Sequence, residues 1–240
     1  MKGFLSAMVI CLLIIPIQHS AAQGFLDKMK KFAGTSDSLG VWKTGWSYVI
    51  DGSGSITLAD GSKQEGTIVF NITGDNEDLQ YIYFTPASAM KPVKMWSDDF
   101  ASFTVKGKTF VPVRMKEDDL TVGHKTIFME MLNSSMTDKF KMYRFRKLEK
   151  KDAQFATADR PAELKRGYYV MLPDFKNAHE IVDMTFTPFA SKMSDYLKDC
   201  PALAEKISNK EKGYKYNMFK GAENEEIFIR VMEEYNSCGK

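Results

Sequence analysis

Basic and aromatic residues alternate between positions 139 and 147, and this pattern has the clearest potential for chemistry in the chain. Its members include Lys139, Lys141, Tyr143, Arg144 and Arg146. Such a strand could bind an anionic glycan, a lipid head group or a nucleic acid, because cations attract the charge while rings stack on the ligand. The alternative is a solvent-facing strand whose lysines and arginines discourage pairing with other chains.

Two cysteines outside the N-terminal segment, Cys200 and Cys238, form the second candidate pair. An even pair in an exported chain favours a disulfide. Closing this loop would contribute on the order of 4 kcal/mol in the chain-entropy model. The alternative is that Cys200 is a small buried hydrophobic residue and Cys238 is a free thiol near a frayed terminus.

Potential metal ligands are sparse. His179, Glu180 and Asp183 lie within five residues of each other. Metal sites usually need ligands that converge from other segments as well. We therefore expect an exposed turn here, with no metal and no other cofactor.

Adjacent carboxylates occur at Asp98-Asp99 and at Asp118-Asp119. Adjacent side chains on a strand point to opposite faces, so neither pair is arranged for acid and base roles, and we expect solvated turns. The chain also lacks a G-x-S-x-G elbow and a cysteine with an obvious histidine partner. No catalytic residue is predicted.

Residues 1–22 have the composition of a secretory signal peptide. Lys2 precedes an apolar stretch, and Ser20 and Ala22 are the small residues before an expected cleavage between Ala22 and Gln23. An uncleaved membrane anchor is the alternative, but the apolar core is shorter than the roughly 20 residues that a spanning helix needs. We expect export, with no transmembrane segment in the mature chain.

Composition and charge place the chain among ordinary globular proteins. Hydrophobic residues make up 44% of the 240 residues and charged residues 27%. The 33 basic and 31 acidic side chains leave a net charge of +2. This near-balance argues against a dedicated nucleic-acid binder.

Four segments follow from the hydrophobic periodicity. After the leader at 1–22, residues 23–40 are expected to form a short amphipathic helix and a linker. That helix would pack on the domain or form a mobile arm, and the alternative is that it lies on a membrane surface. Residues 41–175 carry short alternating runs separated by turn residues, which predicts antiparallel strands. Residues 176–240 carry helical stripes and are expected to pack on those strands. The predicted fold class is therefore α+β, with a curved antiparallel β sandwich or open barrel followed by a C-terminal helical subdomain.

Local signals add detail to the strands. Asp60-Gly61 and Gly107-Lys108 predict tight hairpins, the second with glycine at the first turn position. Pro112 cannot donate to a ladder, which predicts an edge strand or a bulge. Apolar parity changes between Met142 and Tyr143, which predicts a bulge there.

Several segments together resemble an uncharacterised family of secreted, β-rich proteins from Gram-negative bacteria. The matching features are Asp60-Gly61 followed by Gly66-Thr67-Ile68, the strands at 79–85, 128–132 and 140–147, the region 93–113, and Leu197-Lys198-Asp199-Cys200-Pro201. The resemblance spans most of the mature chain, but its motifs are structural. It implies export and carries no activity and no functional residues.

These observations favour an exported, non-catalytic protein of the cell envelope that binds a partner protein or a glycan. The alternative is an exported hydrolase that acts on a glycan or cell-wall substrate through carboxylates brought together by folding. A carrier of apolar ligands is a third hypothesis, suggested by the aromatic and methionine content, and it would need an enclosed cavity.

Overall fold

The computed structural model describes residues 39–44, 46–73, 75, 77–115, 126–133, 135, 138–148, 164–181, 189–216 and 221–238. The chain divides into two compact units, and all of these residues belong to the second, Asp37–Lys240. The predicted leader and the predicted amphipathic helix lie outside the described residues.

In the described part of the chain, eleven strands form one open sheet, and every pair of named strands is antiparallel, as predicted. They are β1 (Val41–Thr44), β2 (Ser47–Thr57), β3 (Lys63–Ile72), β4 (Tyr81–Pro86), β5 (Val93–Trp96), β6 (Ser102–Val105), β7 (Lys108–Arg114), β8 (Thr126–Met131), β9 (Lys141–Leu148), β10 (Leu164–Met171) and β11 (His179–Glu180). The order across the sheet is β11-β10-β9-β8-β7-β6-β2-β3-β4-β5, and β1 pairs with β2. One edge of this order is therefore β5.

Short turns connect the predicted hairpins. The β2–β3 turn contains Asp60, whose carboxylate accepts a hydrogen bond from the Ser62 amide at 2.8 Å. The β6–β7 turn differs by one position from the prediction, because Val105 pairs with Lys108 and the turn residues are Lys106 and Gly107. Both have positive φ, at 51° and 71°, which is the requirement of a type I′ turn.

Two strand predictions are wrong. The strand containing Pro112 is not an edge, because β7 pairs with both β6 and β8 and places Pro112 opposite Phe128. No bulge occurs at Met142 and Tyr143, since β9 pairs with β10 in unbroken register along its whole length. Both of these residues are buried because β9 is covered on both faces, which accounts for the change in parity.

Contacts between distant strands show that the sheet bends. The rings of Phe70 on β3 and Phe128 on β8 lie 6.0 Å apart, although four strand spacings, or about 19 Å in a flat sheet, separate their strands. Gly54 and Gly66 face each other in the β2–β3 register. A Cβ at Gly54 would lie 2.1 Å from the Thr104 carbonyl oxygen, so only glycine permits this close approach of strands.

Three helices follow the strands in the described part of the chain: α1 (Phe189–Tyr196), α2 (Pro201–Ser208) and α3 (Gly221–Ser237). Their apolar faces form a hydrophobic core with Met142, Tyr168 and Val170 of the sheet and with Phe140, which precedes β9. Pro201 occupies the first turn of α2, where its missing amide hydrogen costs no intrahelical bond.

Candidate functional site

Strand β9 carries Lys141, Tyr143, Arg144 and Arg146 of the predicted anion-binding residues, but its arginines are inside the protein. It lies between β8 and β10. The side chains of Arg144 and Arg146 are only 2% and 4% exposed. The solvent-facing interpretation is therefore wrong for these two residues, because carboxylates from other elements draw their guanidinium groups into the core.

Glu130 on β8 is the first of these carboxylates and is 1% exposed. One of its oxygens accepts hydrogen bonds from Arg144, at 3.1 Å, and from Arg146. Lys108 approaches the other oxygen at 3.4 Å. Burial raises the pKa of Glu130, but the charges of Arg146, Arg144 and Lys108 outweigh it and hold the pKa below its usual value.

Glu225 in the first turns of α3 is the second carboxylate. It accepts hydrogen bonds from Arg144 and from the hydroxyl of Tyr168 on β10. Burial and the Glu225 charge raise the pKa of Tyr168, which stays protonated and donates. Arg144 thus joins a strand carboxylate to a helix carboxylate, and we call Lys108, Glu130, Arg144, Arg146, Tyr168 and Glu225 the buried charge network.

This network fastens α3 to the sheet. An ion pair removed from water is stable only when its hydrogen bonds are well satisfied. Here the Nε atom of Arg144 is buried without a hydrogen-bond partner among the described contacts.

Because the pKa of Glu130 is lowered, this carboxyl group is ionised at neutral pH and is unsuited to act as a general acid.

The remaining predicted cations lie nearer to solvent. Lys139 is exposed and Lys141 is half-buried. Tyr143 is buried on β9, and burial raises its pKa to about 12. The five predicted residues therefore do not share one surface, and Arg144 and Arg146 already hold carboxylates. Anion binding by Lys139 and Lys141 stays a prediction.

The sequence prediction missed Glu130 and Glu225. The available signal for Glu130 was a lone carboxylate inside the apolar strand TIFMEM. No sequence signal connects Glu225 to the sheet, because 81 residues separate it from Arg144.

The two cysteines meet at the end of α3. The sulfur atoms of Cys200 and Cys238 lie 2.07 Å apart, which is the distance of a disulfide. The same end of α3 is held by the Asn236 side chain, which bonds both the backbone amide and the backbone carbonyl of Phe140. The buried charge network and these contacts therefore anchor opposite ends of the helix.

Among the metal and carboxylate candidates, His179 and Asp99 are engaged in ordinary contacts. His179 stacks on Phe175 with ring centroids 4.2 Å apart. The described residues contain no group of three or more His, Cys, Asp or Glu side chains that could hold a metal ion. The other candidates, Asp183 and Asp118-Asp119, lie outside the described residues.

A different surface, not anticipated from the sequence, lies at the β5 edge of the sheet. We call Tyr81, Tyr83, Lys94 and Trp96 the edge aromatic surface. Tyr81 is paired with Trp96, and Tyr83 with Lys94, so the four side chains share one face of the β4–β5 hairpin. Trp96 is 38% exposed.

Ring and charge contacts hold this surface together. The Lys94 ammonium lies 3.6 Å from the Tyr81 ring centroid and 4.1 Å from that of Trp96. The Tyr81 ring meets both Tyr83 and Trp96 edge-on. The Tyr81 hydroxyl donates to Asp78 at 2.6 Å, and this hydrogen bond raises the pKa of Tyr81. These contacts fix the positions of the four side chains relative to one another.

Asp99 protects the end of the edge strand. Its carboxylate accepts a hydrogen bond from the Trp96 amide at 2.6 Å, and its own amide donates to the Trp96 carbonyl at 3.0 Å. Both backbone groups of Trp96 are thus occupied, which hinders extension of the sheet by another strand at this point.

Comparisons with known proteins give no relative for this chain. No family model, no curated protein sequence and no solved structure matches it. Among the described helices, none combines the length and the apolar character needed to cross a membrane.

Proposed function

We propose that this chain is an exported, non-catalytic protein of the Gram-negative envelope, in the periplasm or at the cell surface, and that it binds a glycan. The observation that carries the proposal is the edge aromatic surface. Trp96 and Tyr83 offer ring area to solvent, and Lys94 is held between two rings. Aromatic rings pack against the apolar C–H face of a sugar, while an ammonium group donates to its hydroxyl oxygens.

A glycan fits this surface better than a partner protein that adds a strand. Adding a strand requires free backbone groups along the edge. Asp99 occupies those of Trp96. Sugars need no backbone partner, and a small preformed group of rings and donors is enough to bind one.

The test is binding to envelope glycans. Peptidoglycan fragments and lipopolysaccharide-derived oligosaccharides are titrated against the protein by calorimetry. We expect Trp96→Ala to weaken binding at least about tenfold, as expected for losing a central aromatic anchor. Trp46→Ala is the matched control, because Trp46 is 54% exposed in the β1–β2 turn, and it should leave affinity unchanged. Absence of binding to every glycan refutes the proposal. If the chain instead captures a partner protein, and Trp96→Ala abolishes that capture, the edge aromatic surface binds a protein and not a glycan.

The alternative function, an exported hydrolase working through carboxylates, needs one protonated and one ionised carboxyl group. Glu130 is held ionised by three cations and Glu225 is bonded to Arg144. This pair therefore does not favour the alternative. Release of new reducing ends from a glycan by the purified protein would favour it over simple binding.

We infer further that the bent sheet forms an open barrel rather than two stacked sheets. The support is the approach of β9 to the end of β3, where the Leu148 amide donates to the Thr73 carbonyl at 3.4 Å.

Export itself is tested by the N-terminus of the protein recovered from the periplasm, which should be Gln23. Recovery of the intact chain from the cytosol with Cys200 and Cys238 reduced would contradict both export and oxidation.

A further inference from the structure

The connection between β4 and β5 carries apolar side chains that are exposed to solvent. Every residue from 87 to 93 is exposed, and we call this segment the hairpin tip. Met90 is 100% exposed and Val93 is 55% exposed. With Trp96, they make three of the five large hydrophobic residues that are exposed in the described part of the chain.

Positive charge accompanies these apolar groups. Lys91 lies within the hairpin tip, Lys94 follows it on β5, and no carboxylate occurs between residues 84 and 97. The tip is ordered by two backbone hydrogen bonds, from the Ala87 amide to the Glu65 carbonyl at 3.0 Å and from the Ala89 amide to the Pro86 carbonyl at 2.9 Å. The first of these hydrogen bonds places an acidic residue, Glu65, at the base of the tip.

We propose that the hairpin tip docks on the surface of a lipid bilayer that carries anionic head groups. Met90 and Val93 would enter the boundary between head groups and acyl chains, and Lys91 would reach the phosphates. The residues that would enter or reach the bilayer, Met90, Lys91 and Val93, are not members of the edge aromatic surface.

The small size of the tip favours a bilayer over a protein partner. A stable protein interface buries about 800 Å² on each partner, which a short loop with two large apolar side chains cannot supply. A bilayer takes up apolar side chains individually, and anionic lipids add attraction for each nearby lysine. Apolar groups flanked by lysines, with no carboxylate in the same segment, complement such a surface in both respects.

The test places a fluorescent reporter at the tip. Met90→Cys is labelled with an environment-sensitive dye, and Ser208→Cys, exposed at the end of α2, is the control position. Vesicles of equal parts phosphatidylglycerol and phosphatidylcholine are titrated into the exported protein. We expect a blue shift and increased emission at position 90 and none at position 208, with weaker binding to phosphatidylcholine alone.

A charge variant tests the electrostatic part. Lys91→Gln should weaken association about fivefold, whereas Lys198→Gln, an exposed lysine between α1 and α2, should not change it. An unchanged spectrum at position 90 overturns the proposal, even if the protein binds vesicles through its N-terminal segment. Binding that is insensitive to Lys91→Gln also overturns it, as does a blue shift that grows with protein concentration in the absence of vesicles, which would indicate a second copy.

Discussion

Replacing Arg144 with methionine removes the one side chain that bonds both carboxylates of the buried charge network. The substitution keeps a long, unbranched side chain, so packing between the sheet and α3 is largely retained. Glu130 would keep Arg146 and Lys108. Among its described contacts, Glu225 would keep the Tyr168 hydroxyl.

The cost follows from leaving charge uncompensated in the core. Breaking a buried ion pair by removing one partner typically costs about 3–5 kcal/mol. Because Glu130 retains two cations, most of the penalty falls on Glu225, and we expect about 3 kcal/mol in the free energy of unfolding. That is a large share of the roughly 5–15 kcal/mol that stabilises a typical domain. Neutralising the stranded carboxylate should recover part of it, so Arg144→Met combined with Glu225→Gln should show a coupling energy of about 1–2 kcal/mol.

Urea unfolding at neutral pH measures these values, with a double-mutant cycle over Arg144 and Glu225. Lys141→Met is the control, because Lys141 lies on the same strand but is half-buried, and its loss should stay within about 0.5 kcal/mol. A loss below about 1 kcal/mol for Arg144→Met, or strictly additive effects in the cycle, would show that the network does not fasten the helix to the sheet.

Three further predictions concern other parts of the structure. Cys238→Ser should lower the free energy of unfolding by about 4 kcal/mol, since it opens a loop between cysteines 38 positions apart; equal stability of the oxidised protein and this variant in urea would contradict it. Gly54→Ala should prevent correct pairing of β2 with β6 and lower the melting temperature, because its Cβ would meet the Thr104 carbonyl; an unchanged temperature would refute the close approach. Because the pKa of Glu130 is lowered in the folded protein, its contribution to the free energy of unfolding is complete above its usual pKa of about 4.5. That contribution is lost as the pH falls through the lower pKa of the folded state. Urea unfolding should therefore show a loss of stability on acidification that is smaller in Glu130→Gln.

Much of the strand and helix content could be predicted from the sequence because it depends on local patterns. Alternating apolar residues predicted antiparallel strands. Asp60-Gly61 predicted the β2–β3 hairpin, in whose turn the Asp60 carboxylate accepts a hydrogen bond from the Ser62 amide. Helical stripes predicted helices at the C-terminal end. The even number of late cysteines favoured a pair, and the structure places Cys200 and Cys238 at bonding distance. Each signal lies within a few residues or in a count of one residue type.

Long-range placement decided what those elements present to solvent. Arg144 and Arg146 share their pattern with surface strands, and only the arrival of Glu130 and Glu225 from other elements makes the interior favourable for their charge. Likewise, the outward face of Trp96 depends on β5 ending the sheet. A charge is tolerated in the core only when an opposite charge accompanies it. The two partners of Arg144 are Glu130, 14 residues away along the chain, and Glu225, 81 residues away, so no local pattern could reveal them.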